Sequence, residues 1–568
     1  MVALILLTAS ARQIPISRKA TTPRPIGPPS RSPGATARSS SRYATHANHN
    51  PPTTHSGGLR SGGARLLAIM IGSPVRTTPR SDPPPPRLLF LLSFAVIALL
   101  PIPGLFSSLR ADDVWSLRTA SLPLSEMLAT IAGDVHPPFY FLLFWPWIRL
   151  FGDSEVAMRA LSLLLHYLAV AAVYRCAART LPRQTAWLAA IAYACAPLAL
   201  LSTELVRMYS LLGLLSALSI TAFQDVAEHP SQRRVALWTL INIAGSFTHL
   251  WWFCLLAGQG LAALLCYPHN WRRWFMGFAA GVLPYAVLWG PVLARQLVRS
   301  TDAAAWLLPP GITDILPFLY LQCGALLVIA PFARLWARRS GGSPSALPLW
   351  LPILLAGALL PPILISFWKP FFYSRFTIVI LPATACWLAA LAARLNVTVI
   401  TAVVLSLSSL ITFGLSFQSS PCDARALAHN LLQHARPHDT ILYVSLSRPA
   451  IDHYLDRQRP QRRWRESSFP SVIDTHPGYE GDSRSESLLP AWRYEAATLA
   501  RELAQRPGAR VFVFLRDGHQ PSAILEQALI AALQPDPSLD CRCPARSNYI
   551  DRLAVFETPP TTPAAALH

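Results

Sequence analysis

The chain has 568 residues, 52% of them hydrophobic and 14% charged, with a net charge of +20 and a mean hydropathy of +0.34. An ordinary soluble domain carries roughly 25% charged residues, so this composition excludes a plain soluble enzyme, and the chain is too apolar to be disordered throughout. The excess charge is almost all arginine, Lys19 and Lys369 being the only lysines. It forms no basic stripe interleaved with aromatic residues, so no nucleic-acid partner is expected.

Residues 1–87 hold twelve basic groups against one acid, Asp82, and end in a run of four prolines from Pro83 to Pro86. A Pro/Ser/Arg-rich tail of this kind buries no core and is expected to be disordered. Met70 offers a second start that leaves a short basic leader. From Leu88 to Phe417 apolar runs alternate with short polar breaks, and a helix needs about 20 residues to cross about 30 Å of hydrocarbon. The runs predict spans at 88–106, 156–178, 185–201, 205–223, 235–248, 250–267, 275–293, 317–335, 347–366, 374–393 and 397–417. The length of the segment Pro138–Phe151 favours an interfacial or re-entrant piece over a full crossing.

Arginine clusters mark cytoplasmic loops. With Pro138–Phe151 left out, the inner loops are Arg175–Arg183, Arg233–Arg234, Arg272–Arg273, Arg334–Arg339 and Arg394, all basic. The prediction is a mainly α, polytopic transmembrane bundle of about eleven spans, N-terminus inside and C-terminus outside. Residues 418–568 then form a small extracytoplasmic α/β domain. There, helical patterns (Arg425–Ala435, Ala491–Gln505, Ser522–Leu533) alternate with strand-like runs (Thr440–Leu446, Arg510–Leu515, Leu553–Glu557). In an oxidising compartment Cys422 is expected to pair with Cys541 or Cys543.

Chemistry gathers on the outer face. Asp112 and Asp113 follow the first span directly, and adjacent carboxylates at a membrane boundary are costly unless solvated or used. They read either as a wet boundary pair beside Arg110, or as a general base with a partner that tunes it or shares a divalent cation. Further along, Asp134-Val135-His136-Pro137-Pro138 places an acid and a histidine on a turn stiffened by two prolines. Glu204 and Arg207 stand three apart, close enough for an ion pair along one helix. His249 falls at a tight outer turn. Lys369, Tyr373 and Arg375 lie among aromatic residues that suit an interfacial belt, where snorkelling alone would account for Lys369 and Arg375.

Asp112-Asp113 after the first span, the D-x-H-P-P element, Phe151–Arg159, Glu204–Ser210 (E-x-x-R-M-Y) and Pro370–Pro382 together resemble the family 39 glycosyltransferases. These are the GT-C-fold protein mannosyltransferases, lipid A aminoarabinose transferases and bacterial mannosyltransferase-like relatives. The likeness covers roughly 88–450. It implies transfer of a sugar from a polyprenyl-phosphate donor to an extracytoplasmic acceptor (a protein, glycan or envelope lipid) in a bacterial plasma membrane. It implies Asp112 as the base, with Asp113, where the family often has glutamate, beside it. Asp134, His136, Arg159, Glu204, Arg207, Tyr209, His249 and Tyr373 would line the substrate site. Arg375, with Lys369 nearby, would hold the leaving phosphate, and the C-terminal domain could select the acceptor. No cofactor follows with certainty, a divalent cation between the two aspartates staying open. The rival class is a lipid or glycolipid transporter, which predicts broken helices and charges near the bilayer midplane.

Overall fold

The computed structural model describes residues 87–558 apart from Val135, 300–309, 312–313, 325–347, Asn396, 417–422, 459–463, 472–487, 517–518, 543–549 and Asp551. Helix α1 (Arg87–Leu99) is almost entirely apolar, and Pro101 and Pro103 turn the chain into a 3-10 segment at Ile102–Phe106. Two helices then occupy the predicted outer loop, α2 (Ala111–Ser121) and α3 (Leu124–Gly133). α2 begins where it does because Asp113 accepts a hydrogen bond from the Arg110 backbone N–H at 3.0 Å, and both aspartates sit in the positive first turn. Pro137 and Pro138 separate α3 from α4 (Phe139–Phe151), and Gly152, at φ +84°, ends α4 in a conformation that favours glycine.

The long helix α5 (Glu155–Ala177) is capped by Ser154, whose hydroxyl accepts from the Ala157 N–H at 3.2 Å. One predicted span is two helices, α6 (Arg183–Ala194) and α7 (Pro197–Glu204), bent by 51° where Pro197 interrupts the hydrogen-bond ladder. There follow α8 (Tyr209–Glu228), α9 (Gln232–Ser246), α10 (Trp252–Cys266), α11 (Trp271–Leu288) and α12 (Gly290–Arg299). After them come α13 (Ile315–Cys323), α14 (Trp350–Ser366), a 3-10 segment at Ser374–Val379, α15 (Leu381–Arg394) and α16 (Thr398–Ser416).

Among the described residues, α5 and α8 are each long and apolar enough to cross a membrane, and counting three bent pairs as single spans raises this to five. Eleven crossings are therefore not reproduced by length and composition. Prolines and bends divide the apolar runs, and residues 325–335 of the run 317–335 lie outside the described residues.

Two devices hold the helices together. α10 crosses α14 at Gly258 and Gly357, where a Cβ on Gly258 would lie 2.3 Å from the Leu354 carbonyl oxygen. Nearby, buried polar side chains bond to one another. Gln259 donates to Ser219 Oγ at 2.9 Å, Ser219 to Asn242 at 2.8 Å, and Trp238 to Gln259 at 3.2 Å.

The C-terminal part is a three-layer α/β unit. Its sheet runs β2 (Arg465–Phe469), β1 (Thr440–Val444), β3 (Arg510–Leu515), β6 (Arg552–Glu557), β4 (Gln534–Pro535), with β5 (Cys541–Arg542) also on β6. β1 pairs in parallel with β2 and β3, while β6 runs antiparallel to β3 with Val511 opposite Phe556. Side chains alternate across the sheet. Ile441, Tyr443, Phe512 and Phe514 face the layer of α17 (Ala424–His434) and α18 (Ser447–Gln458) and join the core of the helical part. Leu442, Val444, Val511 and Val513 face α19 (Leu489–Ala504) and α20 (Gln520–Ala532). Cys422 and Cys543 lie outside the described residues, so the pairing expected of Cys422 does too.

Candidate active site

The start of α2 turns its two aspartates toward different surroundings. Asp113 is fully buried and its oxygens are committed, one accepting from the Val206 N–H at 2.7 Å and the other from the Arg110 N–H. Arg159 meets the latter oxygen at 3.3 Å, with no exposure on either side chain. Asp112 is 34% exposed and its nearest cation is Arg375, at 3.9 Å. That spacing exceeds a hydrogen bond, so lone pairs of Asp112 stay available to an incoming hydroxyl. The adjacent pair is thus not one two-carboxylate site. Among the described residues no three His, Cys, Asp or Glu side chains converge as metal ligands.

Arg159, expected at the substrate site, is fully buried. Besides Asp113, it donates to the carbonyl oxygens of Glu204 (2.7 Å), Ser108 (2.9 Å) and Ser107. Glu204 and Arg207 do not form the intrahelical pair that their spacing allows. α7 ends at Glu204, which pairs with Arg110 at 2.9 Å, and Arg207 lies beyond the helix end, where its partners come from other elements.

Arg207 Nη2 meets His136 Nε2 at 3.1 Å. A guanidinium can only donate, so Nε2 accepts and the ring proton sits on Nδ1, 2.8 Å from Asp134. Asp134, His136 and Arg207 are therefore one relay. It is steadied by Ser116 Oγ, 3.4 Å from Arg207, and by the Trp115 ring, over which the guanidinium lies at 5.4 Å. Trp115 and Ser116 were missed as site residues by sequence reasoning. Their signal is spacing: three and four residues past Asp112, they share its helical face once 111–121 is read as a helix.

The start of α4 is tied to the loop after α9 by the Phe139 N–H, which donates to the Phe247 carbonyl at 2.9 Å. That loop carries His249, buried against Phe376 with ring centres 4.8 Å apart and 6.2 Å from the His136 ring. Burial, with His136 and Arg207 adding to it, pushes its pKa well below the usual imidazole value. Its Nδ1 accepts from the Trp251 N–H at 3.1 Å, which leaves a proton on Nε2.

Arg375 enters from the 3-10 segment, with the rings of Tyr209 and Tyr373 at 5.9 Å and 5.7 Å. The aromatic run before it divides. Phe371 and Phe372 pack on Trp251, whereas Phe367 and Trp368 are 71% and 72% exposed. Lys369 is half-buried in the same loop, and no ion pair joins it to the cluster among the described residues. The structure thus brings Asp112, Asp134, His136, Arg207, Tyr209, His249, Tyr373 and Arg375 together, holds Asp113, Arg159 and Glu204 behind them, and leaves Lys369 at the margin.

Residues 135–294 match a family model described as dolichyl-phosphate-mannose-protein mannosyltransferase, in agreement with the family resemblance. His136, Arg159, Glu204, Arg207, Tyr209 and His249 fall inside that segment; Asp112, Asp134 and Arg375 fall outside it. No curated protein matches the chain. Similar solved structures include apo ArnT from Cupriavidus metallidurans, with 14% identity, TM-score 0.49, and coverage of 83% of this chain and 98% of that one. The same protein bound to undecaprenyl phosphate aligns with 14% identity, TM-score 0.47, and coverage of 82% and 97%. The oligosaccharyltransferase AglB from Archaeoglobus fulgidus, in complex with an inhibitory peptide and a dolichol-phosphate, has 12% identity, TM-score 0.39, and coverage of 79% and 73%.

Proposed function

We propose that the chain is an integral membrane glycosyltransferase that moves a sugar from a polyprenyl-phosphate carrier to an acceptor hydroxyl on the extracytoplasmic side. The carrying observation is the facing pair of Asp112 and Arg375, 3.9 Å apart and both reached by solvent. Glycosyl transfer separates charge. The acceptor oxygen loses a proton as it bonds to the anomeric carbon, which gains oxocarbenium character, while the carrier leaves as a phosphate anion. Asp112 takes the proton. Arg375 and Arg207 stabilise the departing phosphate, since fixed cations act most strongly where negative charge develops. The Asp134–His136–Arg207 relay fixes the guanidinium plane, and the exposed Phe367 and Trp368 offer a landing for a prenyl chain. The family match over 135–294, to a group whose description names a lipid-phosphate mannose donor, supports the same chemistry.

The test is turnover of a panel of radiolabelled polyprenyl-phosphate sugars by purified full-length protein and its Asp112→Asn variant. Wild type is expected to transfer at least one sugar, and the variant to lose about a hundredfold in kcat or more. Equal rates would remove Asp112 as the base.

A further inference from the structure

The stretch between α1 and α2 is held from two sides. From the helical part, Arg159 takes the carbonyl oxygens of Ser107 and Ser108. From the C-terminal domain, the Tyr454 hydroxyl accepts the Leu109 N–H at 2.7 Å, and Arg425 donates to the Phe106 carbonyl at 3.0 Å. The Arg425 backbone N–H adds a bond to Ser108 Oγ at 3.3 Å. Both grips return to one helical turn. Tyr454 donates its proton to Glu155, and Arg425 pairs with the same carboxylate, while Glu155 and Arg159 stand four residues apart at the start of α5. A second pair, Arg457–Asp153 at 2.5 Å, fixes α18 to the residues just before that turn.

Every backbone unit from Phe106 to Leu109 therefore has a partner outside its own loop. Three residues later comes Asp112. Burial, with Glu155 adding to it, pushes the Tyr454 pKa up to about 12, so its hydroxyl stays protonated and can donate to Glu155 while accepting from Leu109.

We infer that Tyr454 and Arg425 are positioning residues for the transfer reaction, and that the C-terminal domain, through them, is an integral part of the active site and not only a module that selects the acceptor. This rests on Asp112 being the base. Tyr454 and Arg425 touch no reacting atom in this scheme; they hold the loop that leads into α2, and a misplaced base costs rate without costing donor affinity. Arg207 and Arg375, which hold the donor, stand on the segment after α7 and on the 3-10 segment at Ser374–Val379, not on α2 itself.

The experiment compares full-length wild type with Tyr454→Phe, Arg425→Gln and Arg425→Lys. It reads amide hydrogen exchange over residues 104–113 without substrate, and steady-state kinetics with whichever polyprenyl-phosphate sugar the wild type turns over. In Tyr454→Phe, which keeps the ring, exchange at Leu109 is expected to rise at least about tenfold and kcat to fall about tenfold, with KM for the donor within about twofold. Arg425→Gln should behave alike, and Arg425→Lys should recover most of the rate. Wild-type exchange and kcat in Tyr454→Phe would overturn the inference, as would an effect confined to KM for the acceptor. If the wild type transfers no sugar, the proposed function fails by itself, and the exchange arm still decides whether Tyr454 holds the loop: unchanged exchange overturns the inference, and faster exchange upholds the grip.

Discussion

Replacing Arg159 with methionine keeps the length of the side chain but removes its charge and every donor. Methionine leaves Asp113 fully buried without its cation, and leaves the Ser107, Ser108 and Glu204 carbonyl oxygens without their shared donor. Breaking a buried pair from one side costs about 3–5 kcal/mol. Asp113 keeps two backbone donors, from Val206 at 2.7 Å and Arg110 at 3.0 Å, so the lower end, about 3 kcal/mol, is the expected value. Asp113→Asn should cost less, about 1–2 kcal/mol, because the Arg159 cation it unpairs keeps three carbonyl acceptors, although one backbone N–H is left poorly matched. Combined, the two changes should be milder than their sum by about 2 kcal/mol, since the double variant buries no unbalanced charge. The measurement is unfolding of the full-length protein in mixed micelles on titration with SDS, followed by circular dichroism, for all four members of the cycle. Additivity within about 0.5 kcal/mol would refute the reasoning, because two residues in one buried network must couple.

Gly258→Val should destabilise by about 1–3 kcal/mol in the same assay, because its first added carbon meets the Leu354 carbonyl oxygen at 2.3 Å. Gly260→Ala, whose Cβ meets only the Phe278 ring from 3.7 Å outward, should be neutral or stabilising. Arg207→Lys keeps the charge but cannot span His136 Nε2, Ser116 and the Trp115 face at once. A loss of about 10–100-fold in kcat/KM is expected, and a wild-type value would dissolve the relay. Burial and Arg457 push the His453 pKa down to about 4, so the unfolded chain takes up a proton first as the pH falls through about 6.5. Stability should hold above that pH and decline between about 6.5 and 4. His453→Gln should flatten the decline, which thermal melts across the range would read.

Much of the C-terminal domain is legible from periodicity. The apolar runs Thr440–Leu446, Arg510–Leu515 and Leu553–Glu557 become β1, β3 and β6, because central strands bury both faces and so must be apolar. What periodicity misses is β2, Arg-Glu-Ser-Ser-Phe, the helix α18 leading to it, and the two-residue strands β4 and β5. β2 is an edge strand, its first residue exposed and the next two half-buried, so it needs no continuous apolar pattern. Run lengths in the helical part overstate continuity for the opposite reason. Hydropathy sums over residues and does not register a bend, and the run 185–201 conceals the 51° turn between α6 and α7.

The residue types of the site are written in the chain: the acid pair after the first apolar run, the Asp-x-His-Pro-Pro turn, and an arginine within an aromatic stretch. Their chemistry sets which groups can abstract a proton or hold an anion whatever the fold. The division of labour is not written there. Asp112 and Asp113 are neighbours with the same side chain, and only packing turns one toward Arg375 and solvent and the other toward Arg159 and two backbone N–H groups. Consecutive residues on a helix point about 100° apart, so which of them meets water depends on what lies against each face. Tyr454 is 345 residues from Leu109, whose loop it holds; no local pattern carries a contact that exists only once the α/β domain has docked.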